Sequence, residues 1–260
     1  MIPLPNLPKV IKKQGDKATF EIEGLYPGYG VTISNTLRRV LLSSLDGSAI
    51  TQVKIKGVSH EFSTIPGVLE DVITILLNLK KVRFKSFSDE PQQIVIKQKG
   101  EKVIKAGNFE VSPDLEIKNP DAHVATLTSK SAQLQIEAIV EKGVGYQSIE
   151  QREGKKKEIG MMSIDATFTP VKKVSFRVET MRVGKRTDFE KLEIEIETDG
   201  TISPEEAFTK ASEILFKHFS LFSKSYEKPQ KIKIVKEKPK KKKGEKKVKT
   251  SPKKVAKKIK

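Results

Sequence analysis

Hydrophobic and polar residues alternate along much of the chain, which is the spacing of half-buried β-strands. The middle of the chain, about Val82–Ile159, has the pattern of further short strands joined by loops. In Asp188–Thr198, one leucine and two isoleucines (Leu192, Ile194 and Ile196) face one way. Three glutamates (Glu193, Glu195 and Glu197) face the other way and therefore form a solvated face. The predicted strands are Ala18–Glu23, Ile50–Val58, Gln93–Gln98, Val124–Leu127, Leu134–Val140 and a long antiparallel pair, Ile164–Arg182 with Asp188–Thr198.

Three segments show the three-and-four spacing of amphipathic helices. The first runs from Thr32 and ends by Gly47, and the second covers Val68–Lys80. The third begins with Ser203 as N-cap, Pro204 at the first helical position and a glutamate completing a capping box. Its apolar stripe is wide, which predicts burial against both the body of the chain and a partner subunit. That stripe contains Ala207, Phe208, Ala211, Ile214, Leu215, His218, Phe219 and Phe222.

Charge is concentrated at the C-terminal end. The chain of 260 residues has a formal net charge of +17. Lys228–Lys260 contains 17 lysines and two glutamates, a net charge of +15, which leaves +2 for the rest. We interpret this lysine-rich segment as a disordered tail, because it has too few apolar residues to offset the entropy of ordering. A near-neutral body argues against a fold that is itself a basic nucleic-acid-binding surface.

The sequence offers little material for catalysis. It contains no cysteine, and its three histidines stand in no metal-binding or nucleophile motif. Gly28-Tyr29-Gly30 and Gly143-Val144-Gly145 lack a third glycine in register, so turn chemistry explains them. There is no secretory signal and no apolar run long enough to span a bilayer. We therefore expect no catalytic residue, no metal, no cofactor and no membrane contact.

Two features are candidates for partner contact. Arg38-Arg39 lies in the middle of the first helix, where an arginine pair is usually a solvated face but can also reach a carboxylate on a partner. The polar loop His60–Pro66 is either a loop-borne partner surface or a tight connection.

Three long blocks of sequence resemble the bacterial RNA polymerase alpha subunit family. The first is the run from Gly28 to Leu45, with Asn35-Thr36-Leu37-Arg38-Arg39-Val40-Leu41-Leu42 at its centre. The second is His60-Glu61-Phe62-Ser63-Thr64-Ile65-Pro66-Gly67-Val68-Leu69-Glu70-Asp71-Val72, continuing to Lys80. The third is Val183-Gly184-Lys185-Arg186-Thr187-Asp188, followed by Leu192 to Ala207. The chain departs from the family at Ile33-Ser34 and Lys185, which are tolerable exchanges.

The resemblance implies an α+β fold in two parts. A discontinuous dimerisation domain, residues 1–48 and 164–227, places two amphipathic helices on an antiparallel sheet. A mostly β domain, residues 49–163, is inserted into it, and residues 228–260 form the tail. Most family members continue into a helical C-terminal domain that binds promoter DNA, whose place the tail takes here.

The resemblance also implies the function and its surfaces. The chain would dimerise and scaffold the beta and beta-prime subunits of a nucleotidyltransferase that also contains omega and sigma, without catalytic residues of its own. We expect it in the bacterial cytoplasm, associated with the nucleoid, or in a plastid stroma. The implied beta contacts are Arg38, Arg39, Leu42, Thr74 and Lys80, and the implied beta-prime contacts are Ile164, Val171 and Lys191. The implied dimer contacts are Ile33, Leu37, Leu41, Phe208, Ala211, Leu215, Phe219 and Phe222.

Two alternatives remain open from the residues. The tail either contacts DNA without reading its sequence or only aids solubility. The whole chain could instead be a stand-alone nucleic-acid-binding factor with a basic tail. An autonomous enzyme is a distant third, for want of a catalytic cluster.

Overall fold

The computed structural model of the protein describes residues 2–152 and 160–227. Within these ranges the helices are α1 (Tyr29–Ser43), α2 (Val72–Leu79) and α3 (Pro204–Glu227). The first strands are β1 (Lys9–Gln14), β2 (Lys17–Leu25), β3 (Asp46–Ile55), β4 (Phe84–Ser86), β5 (Gln92–Lys99), β6 (Lys102–Lys105) and β7 (Leu115–Ile117). The others are β8 (His123–Leu127), β9 (Gln133–Val144), β10 (Tyr146–Gln147), β11 (Met162–Ser163), β12 (Ala166–Thr167), β13 (Val171–Val183) and β14 (Arg186–Thr198).

The two ends of the described chain meet in a four-stranded antiparallel sheet of order β1-β2-β14-β13. Ile194 on β14 lies opposite Phe20 on β2 and Phe176 on β13. One face of this sheet is apolar, and α1 and α3 pack on it; the ring of Phe208 on α3 stacks on Phe20 with centroids 4.7 Å apart. This arrangement forms the first core of the molecule, which contains Ala18, Phe20, Ile22, Leu37, Leu41, Leu192, Ile194, Ile196, Ala207 and Ala211.

The middle of the chain builds a second, six-stranded sheet. Its main order is β5-β9-β3-β4-β7, and β11 also pairs with β3. Strands β6 and β8 form a separate pair, as do β10 and β12. Helix α2 contributes Val72, Ile75 and Leu79 to a second core that is distinct from the first. The predicted α+β class with antiparallel sheets is confirmed.

Phe168, which precedes β13, packs on two glycines of the second sheet. Gly47 on β3 lies opposite Gly143 on β9, and Phe168 packs over both. A Cβ atom at Gly47 would lie 1.8 Å from the carbonyl oxygen of Phe168, and one at Gly143 would lie 2.6 Å from its ring. Glycine is therefore required at both positions by the close approach of another segment. Helix α1 does end before Gly47, at Ser43, but Gly47 itself lies inside β3. Of the predicted turn Gly143-Val144-Gly145, only Gly145, with a φ of 67°, lies between strands, and Gly143 is part of β9.

Two predicted helix boundaries are also wrong. Helix α1 begins at Tyr29, three residues before the predicted start. Helix α2 begins at Val72, because Val68 pairs instead with Leu127 in an isolated β-bridge. Asp71 caps α2 by accepting a hydrogen bond of 2.9 Å from the backbone N–H of Thr74.

The predicted long strand from Ile164 is interrupted. Only the part from Val171 onward belongs to β13, and between Ile164 and Val171 the chain forms the two-residue strand β12. At the start of α3, Ser203 does act as the N-cap, accepting a hydrogen bond of 3.2 Å from the backbone N–H of Glu206. The predicted loop Glu150–Glu158 begins with a 3₁₀ turn, Glu150–Arg152, and its residues 153–158 lie outside the described part. The predicted disordered tail, 228–260, lies outside it as well.

We expect Gly47→Ala to destabilise the protein by about 3 kcal/mol, because backbone rather than a flexible side chain occupies the space of the added methyl group. Urea unfolding followed by circular dichroism measures this loss. Gly107→Ala is the matched control, since its methyl group would lie 3.2 Å from Cβ of Pro120 and needs only a small shift. Equal stability of the two variants would contradict the packing described for Phe168.

Candidate functional site

The start of α1 is held by a carboxylate from a distant strand. Glu190 on β14 accepts hydrogen bonds of 2.8 Å from the backbone N–H of Gly28 and 2.7 Å from that of Gly30. Negative charge at a helix N-terminus is favoured by the free N–H groups and by the helix dipole. A Cβ atom at Gly30 would lie 2.7 Å from this carboxylate and 2.8 Å from Val178, so the glycine lets the helix approach the sheet. The predicted turn is therefore confirmed at Pro27-Gly28, where Gly28 has a φ of 83°, whereas Tyr29 and Gly30 already belong to the helix.

Arg38 and Arg39 lie on the solvent side of α1. The opposite side of the helix, which includes Leu37 and Leu41, is buried in the first core. Within the described ranges, no carboxylate lies within 4 Å of either guanidinium group. The helix thus presents two arginines whose charge the described residues do not neutralise. Leu42, the third predicted beta contact on this helix, follows close after them in sequence and is half-buried.

The surroundings of α2 expose apolar side chains next to the predicted contact residue Thr74. Thr74 and Leu77 are one turn apart, so they share the outer side of the helix, and 52% of Leu77 is exposed. The segment before the helix exposes Phe62 (76%) and Leu69 (70%). A hydrogen bond of 3.2 Å from the N–H of Val72 to the carbonyl of Ser63 fixes the segment that carries Phe62 against the start of α2.

Lys80, at the end of α2, is tied to the strand region before β13. Its ammonium group lies 3.5 Å from the carboxylate of Asp165. Burial on its own would raise the pKa of Asp165, but the hydrogen bond from the N–H of Ile149 and the charge of Lys80 outweigh it. The pKa of Asp165 is therefore lowered, so its carboxylate is charged at neutral pH. Lys80 is half-buried and therefore only partly available to a partner.

The three residues predicted to contact beta-prime differ in their surroundings. Ile164 is 5% exposed in the second core and Val171 is 2% exposed in the first. Lys191 instead lies on the polar face of the four-stranded sheet, within 3.6 Å of the carboxylates of Glu21, Glu179 and Glu193. Hydrogen bonds to Glu193 and Glu179 raise its pKa. Of the three residues, only Lys191 presents its side chain at a surface.

The predicted dimer residues also divide into two groups. Leu37, Leu41 and Ala211 are at most 5% exposed, because the chain's own first core covers them. Ile33, Phe208 and Leu215 are half-buried against the same core. Phe219 and Phe222 are 59% and 65% exposed, and their neighbours Phe216 and Leu221 are similarly exposed. His218, which was predicted to be a core or interface histidine, is exposed in this chain.

Sequence reasoning missed Glu190 and the exposed apolar residues around α2. Glu190 is on the same face of β14 as Leu192, Ile194 and Ile196, because alternate residues of a strand share a face. An acidic residue at such an inward-facing position was the sequence signal that could have identified it. No comparable signal identified Phe62, Leu69 or Leu77, because an apolar spacing does not tell a core position from an exposed one. Among the described residues, no cluster of acidic and histidine side chains has a geometry that could hold a metal ion. No helix in the described ranges is long and apolar enough to cross a membrane.

Comparison with known proteins gives the class to which this fold belongs. Residues 53–169 match the family described as the RNA polymerase Rpb3/RpoA insert domain. The matched segment contains most of the six-stranded sheet, α2 and Phe168, so the class is that of RNA polymerase subunits with an inserted β domain.

Whole-chain relatives give the particular family. The chain is 47% identical over 221 residues, 85% of its length and 70% of the relative's, to the DNA-directed RNA polymerase subunit alpha of Desulfitobacterium hafniense (strain DSM 10664 / DCB-2). It is 48% identical over 203 residues to that of Moorella thermoacetica, which covers 78% of this chain and 64% of the relative. It is 43% identical over 229 residues to the same subunit of Symbiobacterium thermophilum, an alignment that covers 88% of this chain and 72% of the relative. The chain belongs to the family of bacterial DNA-directed RNA polymerase alpha subunits.

We expect Glu190→Gln to lower the free energy of unfolding by about 1–2 kcal/mol, because the amide is neutral and has only one acceptor oxygen for the two N–H groups of α1. Chemical unfolding measures the change. Glu197→Gln makes the same replacement on the outer face of β14 and should change stability by less than about 0.5 kcal/mol. Equal losses in the two variants would show that Glu190 does not hold the helix.

Proposed function

We propose that the chain dimerises and acts as the scaffold on which the beta and beta-prime subunits of a DNA-directed RNA polymerase assemble. It would contribute to nucleotidyl transfer as a subunit that positions the catalytic chains and supplies no catalytic residue. The observation that carries the proposal is the pair of unneutralised arginines on α1, on a helix whose other side is fixed to the core. A rigid, charged helix face is a surface suited to a specific partner.

The proposed division of labour follows the two cores, except that the boundary residue Ile164 is buried in the second core. Residues 1–48 and 164–227 would form the dimerisation domain, which holds the first core, α1 and α3. Residues 49–163 would form the inserted domain around the second core. The contact of Phe168 with Gly47 and Gly143 supports a fixed relation between the two, and that relation would let one chain present a constant surface to a large partner.

The proposed beta contact combines Arg39, and Arg38 beside it, with the outer side of α2. Leu42, Thr74 and Lys80 belong to the same proposed surface. The exposure of Leu77, Leu69 and Phe62 supports it, because apolar side chains near a cation are typical of interface centres. Arginine also suits such a centre because its planar group pairs with a carboxylate through two hydrogen bonds.

For beta-prime we propose contact through the polar face of the four-stranded sheet that carries Lys191. Val171, buried in the first core, would act from beneath this face, and Ile164, buried in the second core, would fix the segment that leads to β13. The surrounding carboxylates keep Lys191 extended across the face, which favours a partner that brings its own charged groups.

The proposed dimer contact uses the last turns of α3. The stripe that faces the core at Ala207 and Ala211 continues along the helix to Leu215 and Phe219, but the exposure of the side chains rises along it. An apolar stripe that outruns its own core exposes area that a second copy can bury. Leu37 and Leu41 would support this surface from within, and Ile33 and Phe208 would border it.

For the lysine-rich tail, which lies outside the described residues, we propose contact with DNA phosphates. Its net charge of +15 supports this, because a polycation gains affinity from counterion release without reading the sequence.

We expect Arg39→Ala to reduce recovery of the complex with co-expressed beta and beta-prime subunits at least tenfold, because a charged interface residue removed from its partner typically costs 2–5 kcal/mol. The variant should still dimerise, since Arg39 faces away from the first core. Affinity purification through the large subunit measures assembly, and light scattering measures the dimer. Arg182→Ala, at an exposed arginine near the β13–β14 turn, is the control. Normal assembly of Arg39→Ala would refute the assigned contact.

We expect Phe219→Asp to convert the dimer to a monomer at micromolar concentration, because a buried carboxylate would replace an aromatic side chain at the contact. Light scattering of the full chain should give twice the monomer mass of 29.1 kDa for the parent and a single mass for the variant. Lys217→Asp places the same charge on another side of α3 and should leave the dimer intact. A dimeric Phe219→Asp protein would place the dimer contact elsewhere.

A further inference from the structure

The inserted domain carries an open groove for which the assembly role assigns no ligand. Its volume is about 1000 Å³, and it lies where β5, β9 and the end of β3 meet. Two loop segments, Thr64–Gly67 and Ser129–Ala132, form its walls. Leu134 and Ala132, which belong to the second core, also line it, so the groove lies between the strands and these loops at the border of that core.

Three lysines surround the groove. Lys97 and Lys99 are on the same face of β5, and Lys56 extends from the end of β3. The register places Lys97 opposite Gln135, whose carbonyl accepts a hydrogen bond of 3.1 Å from the N–H of Lys56. Lys56 and Lys97 therefore flank one position of β9 at about 10 Å from each other, and Lys99 is about 7 Å further along β5.

The charge of these lysines is not neutralised by described residues. Within the part of the chain that the structure describes, no acidic group lies within 4 Å of any of the three ammonium groups. None of the described residues that line the groove is acidic. The nearest carboxylate along β9 belongs to Glu137, which lies opposite Lys54 outside the groove and accepts a hydrogen bond of 3.1 Å from Gln135.

The rest of the lining is mixed: it contains neutral hydrogen-bonding side chains and the apolar residues Val58, Ile65, Pro66, Ala132 and Leu134. Ser129 and Ser131 provide hydroxyl groups on one wall, Thr64 provides one on the other, and Gln133 and Gln135 provide amides on the floor. Lysine together with serine, threonine and glutamine is the donor set that proteins use to bind the sugar-phosphate backbone. Mobile lysines act as point charges, which suits a phosphate chain that is held without sequence readout.

We propose that this groove binds the phosphodiester backbone of a single-stranded nucleic acid. A phosphate chain is favoured because three lysines supply positive charge and no described lining residue is acidic. An acidic polypeptide is the competing occupant, and poly-glutamate is the probe that distinguishes it. The site is separate from the lysine-rich tail.

Lysine footprinting on the full chain tests the proposal, because it reads each lysine separately and the tail cannot mask the groove. The protein is acetylated briefly, alone and with a single-stranded RNA or DNA oligonucleotide, and modification is quantified by mass spectrometry. We expect modification of Lys56, Lys97 and Lys99 to fall at least threefold with either oligonucleotide. Lys12, Lys172 and Lys185, which are exposed elsewhere, should keep their rates. Protection by only one of the two oligonucleotides would identify RNA or DNA as the source of the backbone.

A charge-matched comparison gives a second measurement. The triple variant Lys56→Gln, Lys97→Gln, Lys99→Gln should bind the oligonucleotide about tenfold more weakly than the triple variant Lys12→Gln, Lys172→Gln, Lys185→Gln. Its salt dependence, the slope of log affinity against log salt, should be smaller by about 2, since each lost phosphate contact contributes about 0.7.

Three results would overturn the proposal. One is protection confined to the tail lysines, with equal affinities of the two triple variants. Another is protection of the groove lysines by poly-glutamate and not by oligonucleotides, which would assign the groove to an acidic protein. The third is equal protection by poly-glutamate and oligonucleotides at matched charge, which would make the surface a general cation patch.

Discussion

The antiparallel pairing of β2 with β14 is the constraint on which the rest of the molecule depends. Ile194 lies opposite Phe20, so residues separated by more than half of the chain are adjacent in one sheet. This pairing creates the apolar face on which α1 and α3 pack. It also brings Glu190 to the start of α1, so the orientation of that helix, and of the arginines on it, is set by a strand that lies far away in sequence.

The spacing of apolar residues predicted most of the strands and all three helices, because this spacing depends only on the residues of the segment itself. It failed where a distant group decides the local structure. The two glycines around Tyr29 weaken helix propensity, yet the helix starts there because the carboxylate of Glu190 satisfies its first N–H groups. Val68 has helical spacing but pairs with Leu127, and Gly47 reads as a helix end but is a point of close approach to Phe168.

The candidate surfaces differed in how well the sequence predicted them. The exposure of Arg38 and Arg39 follows from the stripe on α1, which leaves them opposite the apolar side. The sequence could not show whether Leu37, Leu41 and Ala211 face a second chain or the chain's own core. An apolar stripe has the same spacing in both cases. Only the extent of the core shows that the stripe of α3 is covered near Ala211 and exposed near Phe219.

The separation of β2 from β14 also orders events during synthesis. About 170 residues must leave the ribosome after Leu25 before Thr198 emerges, which takes roughly 10–35 s at 5–20 residues per second. Within that interval the second core can form, since its last residue, Ile164, emerges before β14, whereas β2 and α1 wait with their apolar sides uncovered. The nascent chain thus carries a folded domain and an N-terminal segment whose apolar side chains are exposed. That segment is protected from aggregation only when β14 pairs with β2.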